Sequence, residues 1–421
     1  MTLSGILAGF ALLSLALVFW QWLAARRFPL HRRNPVTGPA SGISLLKPLK
    51  GCDEHTEDCL RSWFVQDYPG QLQILFGVAE EGDPACAVVR KLKAEFPRLD
   101  VELVICRERL GPNEKVSKLA QLEAMAKHEL LVVSDADVHA PADLLSNLVT
   151  PLLDGSTSEA LGTSGSGTAG DFDERAQTMD LVSCFYRFAN PTTPAMHWEA
   201  VAVNADFWSQ VLQNASFRKL DFALGAVVAT RRALLAESGG FRALVDQLAD
   251  DYQLGQRLAQ RGRRLGLCPV VVECWSAPVG WRQVWRHQLR WARTIRACQP
   301  LPYFLSILNN VTLWSLAWAV AAGAIPALES HTQAPYEHGF SMTFPSVGLI
   351  ASCLLAFRML LAVDLQRRLS PSSPSPWRWS WFVPVKDLLQ VAVWAGAFLG
   401  NRIEWCGRRY RLHRDGSFSE D

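Results

Sequence analysis

Short apolar runs alternate with segments of helical period through the first third of the chain. The runs lie at 43–46 (ISLL), 72–78 (LQILFGV), 101–105 (VELVI) and 130–134 (LLVVS). Between them, 54–66, 84–96 and 113–127 read as helices, and the last opens on Asn113, a good N-cap, before Val116, Leu119 and Leu122 recur on one face. Strands alternating with helices at this spacing predict βαβ units and a mostly parallel α/β sheet. Such sheets bind ligands at the carboxyl ends of their strands.

A second pattern is longer. Residues 3–25 carry no charge and suffice to cross a bilayer. No basic residue precedes them, as a signal peptide would require, whereas Arg26, Arg27, Arg32 and Arg33 follow. An uncleaved anchor is expected, with the following domain on the cytosolic side. Residues 303–327 and 346–366 read as two further spans; the loop of about 329–345 has no Lys or Arg and reads as external. The stretch 380–399 is apolar but holds Lys386 and Asp387. Intramembrane charge is costly, so this stretch reads either as a span, which would leave the basic tail outside, or as a re-entrant or interfacial segment. The organisation expected is therefore an anchor (1–28), a soluble domain (42–275), interfacial helices rich in Arg and Trp (276–300), a membrane region with two or three spans (301–400) and a polar, basic tail (401–421).

Composition narrows the class. The chain has 421 residues, is 49% hydrophobic, contains 16 Trp and carries a formal net charge of +2, so no overall basic field points to nucleic acid. Its 10 cysteines form no CxxC and no Cys/His cluster at zinc spacing, which fits reduced thiols facing a cytosol. The loop after the first strand, KPLKGCDEH, lacks the GxGxxG of a dinucleotide fold, and no P-loop is present.

The run 130–134 ends in Ser134-Asp135-Ala136-Asp137. Side chains two apart on an extended chain share a face, so Asp135 and Asp137 point together into the crevice. Two hard oxygen ligands suit Mg²⁺ or Mn²⁺, which usually takes one or two carboxylates plus substrate phosphates. Alone, the pair also reads as a solvated strand-to-turn junction. Further elements follow in order: Glu80 and Glu81 after the second run, Lys118 on the helix before DxD, Asp250 and Asp251 in LADDYQLG, and HQLRW at 287–291.

With KPLKGCDEHTEDCLRSWFVQDYP, the GDPA turn, DFALGA and the terminal GRRYRL, this ordered set resembles the ceramide glucosyltransferase family, which includes bacterial relatives acting on hopanoid lipids. The likeness runs from about Leu45 to Leu412. It implies a GT-A-type inverting glycosyltransferase moving glucose from UDP-glucose to the primary hydroxyl of ceramide in a membrane, with a bacterial inner membrane favoured. It further implies that Asp135 and Asp137 hold Mn²⁺ or Mg²⁺ and that Glu80 and Lys118 join them on the nucleotide sugar. Asp251 is then the base, Asp250 its support, and His287, Arg290 and Trp291 meet the acceptor and diphosphate. Three features depart from the family pattern: Glu stands at 80 where Asp is usual, His at 287 where Gln or Arg is usual, and a Gly/Ser-rich insertion fills 157–174.

Each residue also has a plain alternative. Asp250 and Asp251 suit a helix N-terminus, Lys118 a solvated helix face, and Gly225 and Ala226 ordinary strand packing. His197 reads as structural. The Arg/Trp segment 275–296 reads as an interfacial amphipathic helix. Nothing in the sequence reads the sugar's C2 substituent, so transfer of N-acetylglucosamine to another lipid stays open. A polysaccharide synthase would need more spans, and a non-catalytic membrane adaptor would need none of the acids.

Overall fold

The computed structural model describes residues 2–33, 40–153, 178–329, 344–371, 376–405 and 407–421. The Gly/Ser-rich insertion and most of the loop expected to be external lie outside the described residues. Eight strands form the central sheet: β1 (Ile43–Pro48), β2 (Leu72–Val78), β3 (Asp100–Ile105), β4 (Leu130–Ser134), β5 (Val138–His139), β6 (Leu181–Phe188), β7 (Val227–Arg231) and β8 (Leu265–Cys274). Their order is β3-β2-β1-β4-β7-β6-β8-β5. β1 to β4 are mutually parallel, β7 runs antiparallel between β4 and β6, and β6 pairs parallel with β8.

The continuous apolar runs follow from burial on both faces. Leu45, Ile74 and Val132 pack on one side of the sheet with Trp63 and Val89. Leu46, Leu75, Leu131 and Val133 pack on the other with Val116, Leu119 and Leu122 of the helix Glu114–Met125, and with Leu254 and Leu258 of the helix Asp250–Gln260. Asn113 caps the first of these helices, its side chain accepting from Val116 N at 3.1 Å.

The sheet is tied directly to apolar helices. Phe185, Trp208 and Leu224 share a core with Ala362, Leu365 and Leu369 of the helix Phe344–Leu369. Two helices, Leu3–Arg27 and Pro345–Leu369, are long and apolar enough to cross a membrane, and Pro300–Asn309 with Val311–Gly323 forms a third apolar unit bent by 57°.

The charges in the last apolar stretch are fully partnered. Asp387, on the helix Phe382–Phe398, lies 2.5 Å from Lys386 and 3.0 Å from Arg358, and Arg358 lies 2.9 Å from Asp206. Lys386 closes the ring onto Asp206, and Thr312 donates to Asp387 at 2.7 Å. Two cations face two carboxylates, so the buried charge of the cluster is balanced, while Arg358 Nη1 is left without a hydrogen-bond partner.

The tail is folded. β9 (Arg402–Trp405), β10 (Arg408–Leu412) and β11 (Phe418–Glu420) make an antiparallel sheet. It docks on the domain of the eight-stranded sheet: Phe418 N donates to Asp246 O at 3.0 Å and Leu248 N to Gly416 O at 3.2 Å. His31 Nε2 lies 2.8 Å from Arg368 O, tying the segment after the first apolar helix to the end of the helix Phe344–Leu369.

Candidate active site

At the end of β4 the chain is pinned from both sides. Asp135 N donates to Ala226 O at 3.1 Å, and Trp275 N to Asp137 O at 3.0 Å. Beneath them Lys47, fully buried inside β1, donates to Ser134 Oγ at 3.0 Å and to Asp135 O at 2.7 Å. Its ammonium also lies 4.7 Å from the Trp63 ring centroid. Burial pulls the Lys47 ammonium down to about 8, against the attraction of Asp135 and Asp137. The two aspartates line a cavity of about 1950 Å³. Asp137 is pushed up to about 6, first by its enclosure in the cavity and then by the like charge of Asp135.

Asp250 and Asp251 open the helix Asp250–Gln260 and line the same cavity. Lys115 joins the two acid pairs: its ammonium is 2.7 Å from Asp135 Oδ1 and 3.5 Å from Asp250 Oδ2. Burial opposes the Lys115 charge, but Asp135 and Asp250 prevail and hold its pKa above the ordinary lysine range. Asp251 is pushed up to about 7 by burial and by Asp250. Its Oδ1 accepts from Tyr252 N at 2.8 Å. Gly225 explains the small residues of DFALGA: a Cβ there would lie 2.6 Å from Asp251 Oδ2. Glycine makes room for the acid. Gly225→Ala is expected to fold but to displace the carboxylate, lowering kcat about 10²-fold, since a misplacement of ~1 Å costs on that order. Steady-state kinetics beside a thermal melt would check it.

The helix Trp281–Cys298 forms the far wall. Glu199, nearly buried, accepts from Gln288 Nε2 at 2.9 Å and lies 2.5 Å from His287 Nδ1. The acid fixes the His287 ring, whose centroid is 4.6 Å from that of Trp291. Trp291 in turn meets Phe188 and Phe207. Arg290 lies beside it, 5.8 Å from the Trp405 ring centroid. From here the cavity continues without a break along Gln21 of the first apolar helix and past Asn310 and Gln390 of the C-terminal ones. A single volume therefore joins four carboxylates to helices of membrane character.

The comparisons with known proteins bear on this geometry. The sequence pattern described as Glycosyl transferase family 21 matches residues 6–174 and 166–418, nearly the full chain. The chain belongs to glycosyl transferase family 21. A ceramide glucosyltransferase of Komagataella phaffii is 24% identical, aligned over 94% of this chain and 87% of its own length. Ceramide glucosyltransferase 3 of Caenorhabditis elegans is 22% identical, over 88% and 75%. A Candida albicans ceramide glucosyltransferase is 35% identical, but over 29% of this chain and only 25% of that protein. Among solved structures, a mannosyltransferase of Pyrobaculum calidifontis, in complex with GDP-Man and Mn²⁺, superposes with a TM-score of 0.51 at 21% identity, covering 94% of this chain and 98% of that one. This likeness establishes the fold as that of a GT-A-type glycosyltransferase.

In this family 21 chain, seven of the nine residues singled out from the sequence, Asp135, Asp137, Asp250, Asp251, His287, Arg290 and Trp291, line one cavity. Lys118 and Glu80 do not. Lys118 turns inward and donates to Leu49 O at 2.7 Å, so Lys115, one turn earlier, takes the place beside the acids. Glu80 is exposed in the turn after β2. The acid that organises that turn is Asp83, which accepts from Gly51 N at 3.0 Å and Ala85 N at 2.9 Å, joining the KPLKG loop to the next helix. His197 stacks on Trp379 at 3.7 Å between ring centroids. Lys47 had a readable signal, a lysine inside an apolar strand; Glu199 had none.

A divalent cation fits the pair Asp135 and Asp137. No set of three or more Asp, Glu, His or Cys able to hold a metal occurs among the described residues. Two cavity-facing carboxylates, one of them under-neutralised, are the donor chemistry of an ion completed by substrate phosphates.

Proposed function

We propose that this protein transfers glucose from UDP-glucose to the primary hydroxyl of ceramide, with inversion, at the cytosolic face of its membrane. The observation that carries the reading is the unbroken cavity running from Asp135 and Asp137 to the apolar helices. A lipid acceptor can stay in the bilayer while its hydroxyl reaches the acids. The full-length relatives named above support the substrate pair.

Asp251 accepts the proton of the attacking hydroxyl, and its shift to about 7 suits a base working near neutrality. The hydroxyl oxygen bonds to the anomeric carbon as the bond to UDP breaks. Negative charge grows on the departing diphosphate, where Arg290 stands in the cavity. A divalent cation held by Asp135 and Asp137 would neutralise that diphosphate when bound. Glu199 orients His287, which with Trp291 shapes the acceptor passage. Lys115 sets one positive charge between Asp135 and Asp250.

In this reading the chain is multi-pass: Leu3–Arg27, the bent unit starting at Pro300 and Pro345–Leu369 cross, while Phe382–Phe398 does not. A bacterial inner membrane is the assigned location, resting on the resemblance to bacterial lipid glycosyltransferases. The test is UDP release by purified protein given UDP-glucose, with and without ceramide and Mn²⁺. Release that needs both is expected. Release that follows a hopanoid but not ceramide would move the acceptor assignment, and absence of UDP-glucose binding would remove the function.

A further inference from the structure

We infer that the C-terminal sheet is a working part of the catalytic cavity, in which Trp405 is the positioning residue that sets Arg290 against the donor diphosphate. The inference rests on the transferase reading, because Arg290 takes its role from it. Trp405 and Arg290 line the cavity together with Asp250 and Asp251. The Arg290 guanidinium lies 5.8 Å from the Trp405 ring centroid. Holding a long side chain in one place costs rotamer freedom, and the face of an indole ring offsets that cost by attracting a guanidinium. The ring brings no counter-charge of its own. One turn earlier on the same helix, Arg286 meets a carboxylate instead, Glu404 at 2.5 Å. Adjacent residues of β9 thus act differently on two arginines: Glu404 neutralises one, and Trp405 restrains the other without neutralising it.

The ring is fixed by a core of its own. Trp405 packs against Ile403, Tyr410, Leu412 and Phe418, with its ring edge-on to Phe418 at 5.7 Å between centroids. Leu248, two residues before Asp250, packs against the same core and is tied to Gly416 through its backbone. Gln253, in the first turn of the helix Asp250–Gln260, donates to Asp415 O at 3.3 Å. At a third point Arg408 of β10 stands 3.8 Å from Glu114, the neighbour of Lys115. Three segments far apart in the chain, carrying Lys115, the Asp250–Asp251 pair and Arg290, therefore share one small sheet as their common support. A close-packed core yields little, so the sheet fixes how far Arg290 stands from the acids.

The experiment measures UDP and uridine binding by calorimetry on the full chain in detergent with Mn²⁺, for Trp405→Leu and Trp405→Phe, each alone and combined with Arg290→Ala. Trp405→Leu should weaken UDP about tenfold, the scale of one cation–π contact in an enclosed site, and leave uridine unchanged, since uridine has no diphosphate. Trp405→Phe fills the same core with a weaker ring face and should weaken UDP about threefold, which keeps the test open if leucine loosens the sheet. With Arg290→Ala already present, neither change should cost anything further, because the two residues act as one unit. In turnover, kcat should fall in the same order. Unchanged UDP affinity in a folded Trp405→Leu, or the same loss with and without Arg290, would overturn the inference and leave Trp405 as core packing only. UDP binding that follows this pattern without ceramide-dependent turnover would uphold Trp405 and remove only the acceptor assignment. Absence of UDP binding by the wild type would remove the donor reading and this inference with it.

Discussion

Asp251→Asn is expected to leave a folded, membrane-inserted protein that binds UDP-glucose normally but turns over about 10³-fold more slowly, the scale of a lost general base. Asparagine keeps the hydrogen bond from the backbone, because an amide oxygen can still accept from Tyr252 N, now 2.8 Å from Asp251 Oδ1. It also fits the space that Gly225 leaves. What it cannot do is take a proton. The melting temperature above pH 7 should equal or exceed that of the wild type, since the substitution removes a carboxylate that burial and Asp250 disfavour. Turnover within a few-fold of wild type would reject Asp251 as the base and pass the role to Asp250.

The pH dependence follows with a definite sign. A base with a pKa raised to about 7 is protonated and idle below that value, so kcat/KM should fall about tenfold per unit under an acid limb near neutrality. A divalent ion on Asp135 and Asp137 offsets part of the local negative charge and moves the limb lower, so the midpoint in Mn²⁺ should lie at or below 7. Stability runs the other way. The folded protein retains a proton on Asp251 that the unfolded chain releases, so this contribution is full in acid and is lost as the pH rises from the ordinary carboxylate range through about 7.

Much of this arrangement is legible in the sequence because periodicity and order survive folding. The runs that become β1 to β4 are apolar on both faces, which only a covered parallel sheet explains. DxD is readable because an apolar strand ends at Asp135, and ADDY because a helix begins there. Direction around a helix is not readable in the same way. Lys115 and Lys118 are three apart and share a face; only the packing of Val116, Leu119 and Leu122 on the sheet turns Lys118 toward Leu49 O and Lys115 toward Asp135. Asp83 is hidden for a related reason: of the acids in the turn after β2, it is the one whose carboxylate accepts from Gly51 N, while Glu80 is exposed. The tail concealed its strands: Ile403, Tyr410, Leu412 and Phe418 form a small core, but the arginines between them make the segment read as a polar extension. Lys386 and Asp387 stayed ambiguous because their partners, Asp206 and Arg358, lie 180 and 29 residues away in the chain.

Lys115 carries the second large effect. Lys115→Met should lower turnover at pH 7 by about 10²-fold and recover much of it at pH 9. The ammonium is the cation shared by Asp135, at 2.7 Å, and Asp250, at 3.5 Å, and its charge is also felt at Asp251. Without it the acids face one another with only buried Lys47 behind them, and Asp251 must hold its proton to still higher pH. The activity limb should therefore move upward by about two units, within the roughly one to three expected for losing one nearby opposite charge. Lys115→Arg keeps the charge and should keep the limb, even where its bulk lowers kcat. A merely structural lysine would behave differently: its loss would depress activity evenly across pH and arginine would restore nothing. Raising Mn²⁺ should partly rescue Lys115→Met, because a divalent ion on Asp135 and Asp137 supplies positive charge to the same acids. A variant whose limb stays where the wild type has it would show that Lys115 does not set the charge state of Asp251.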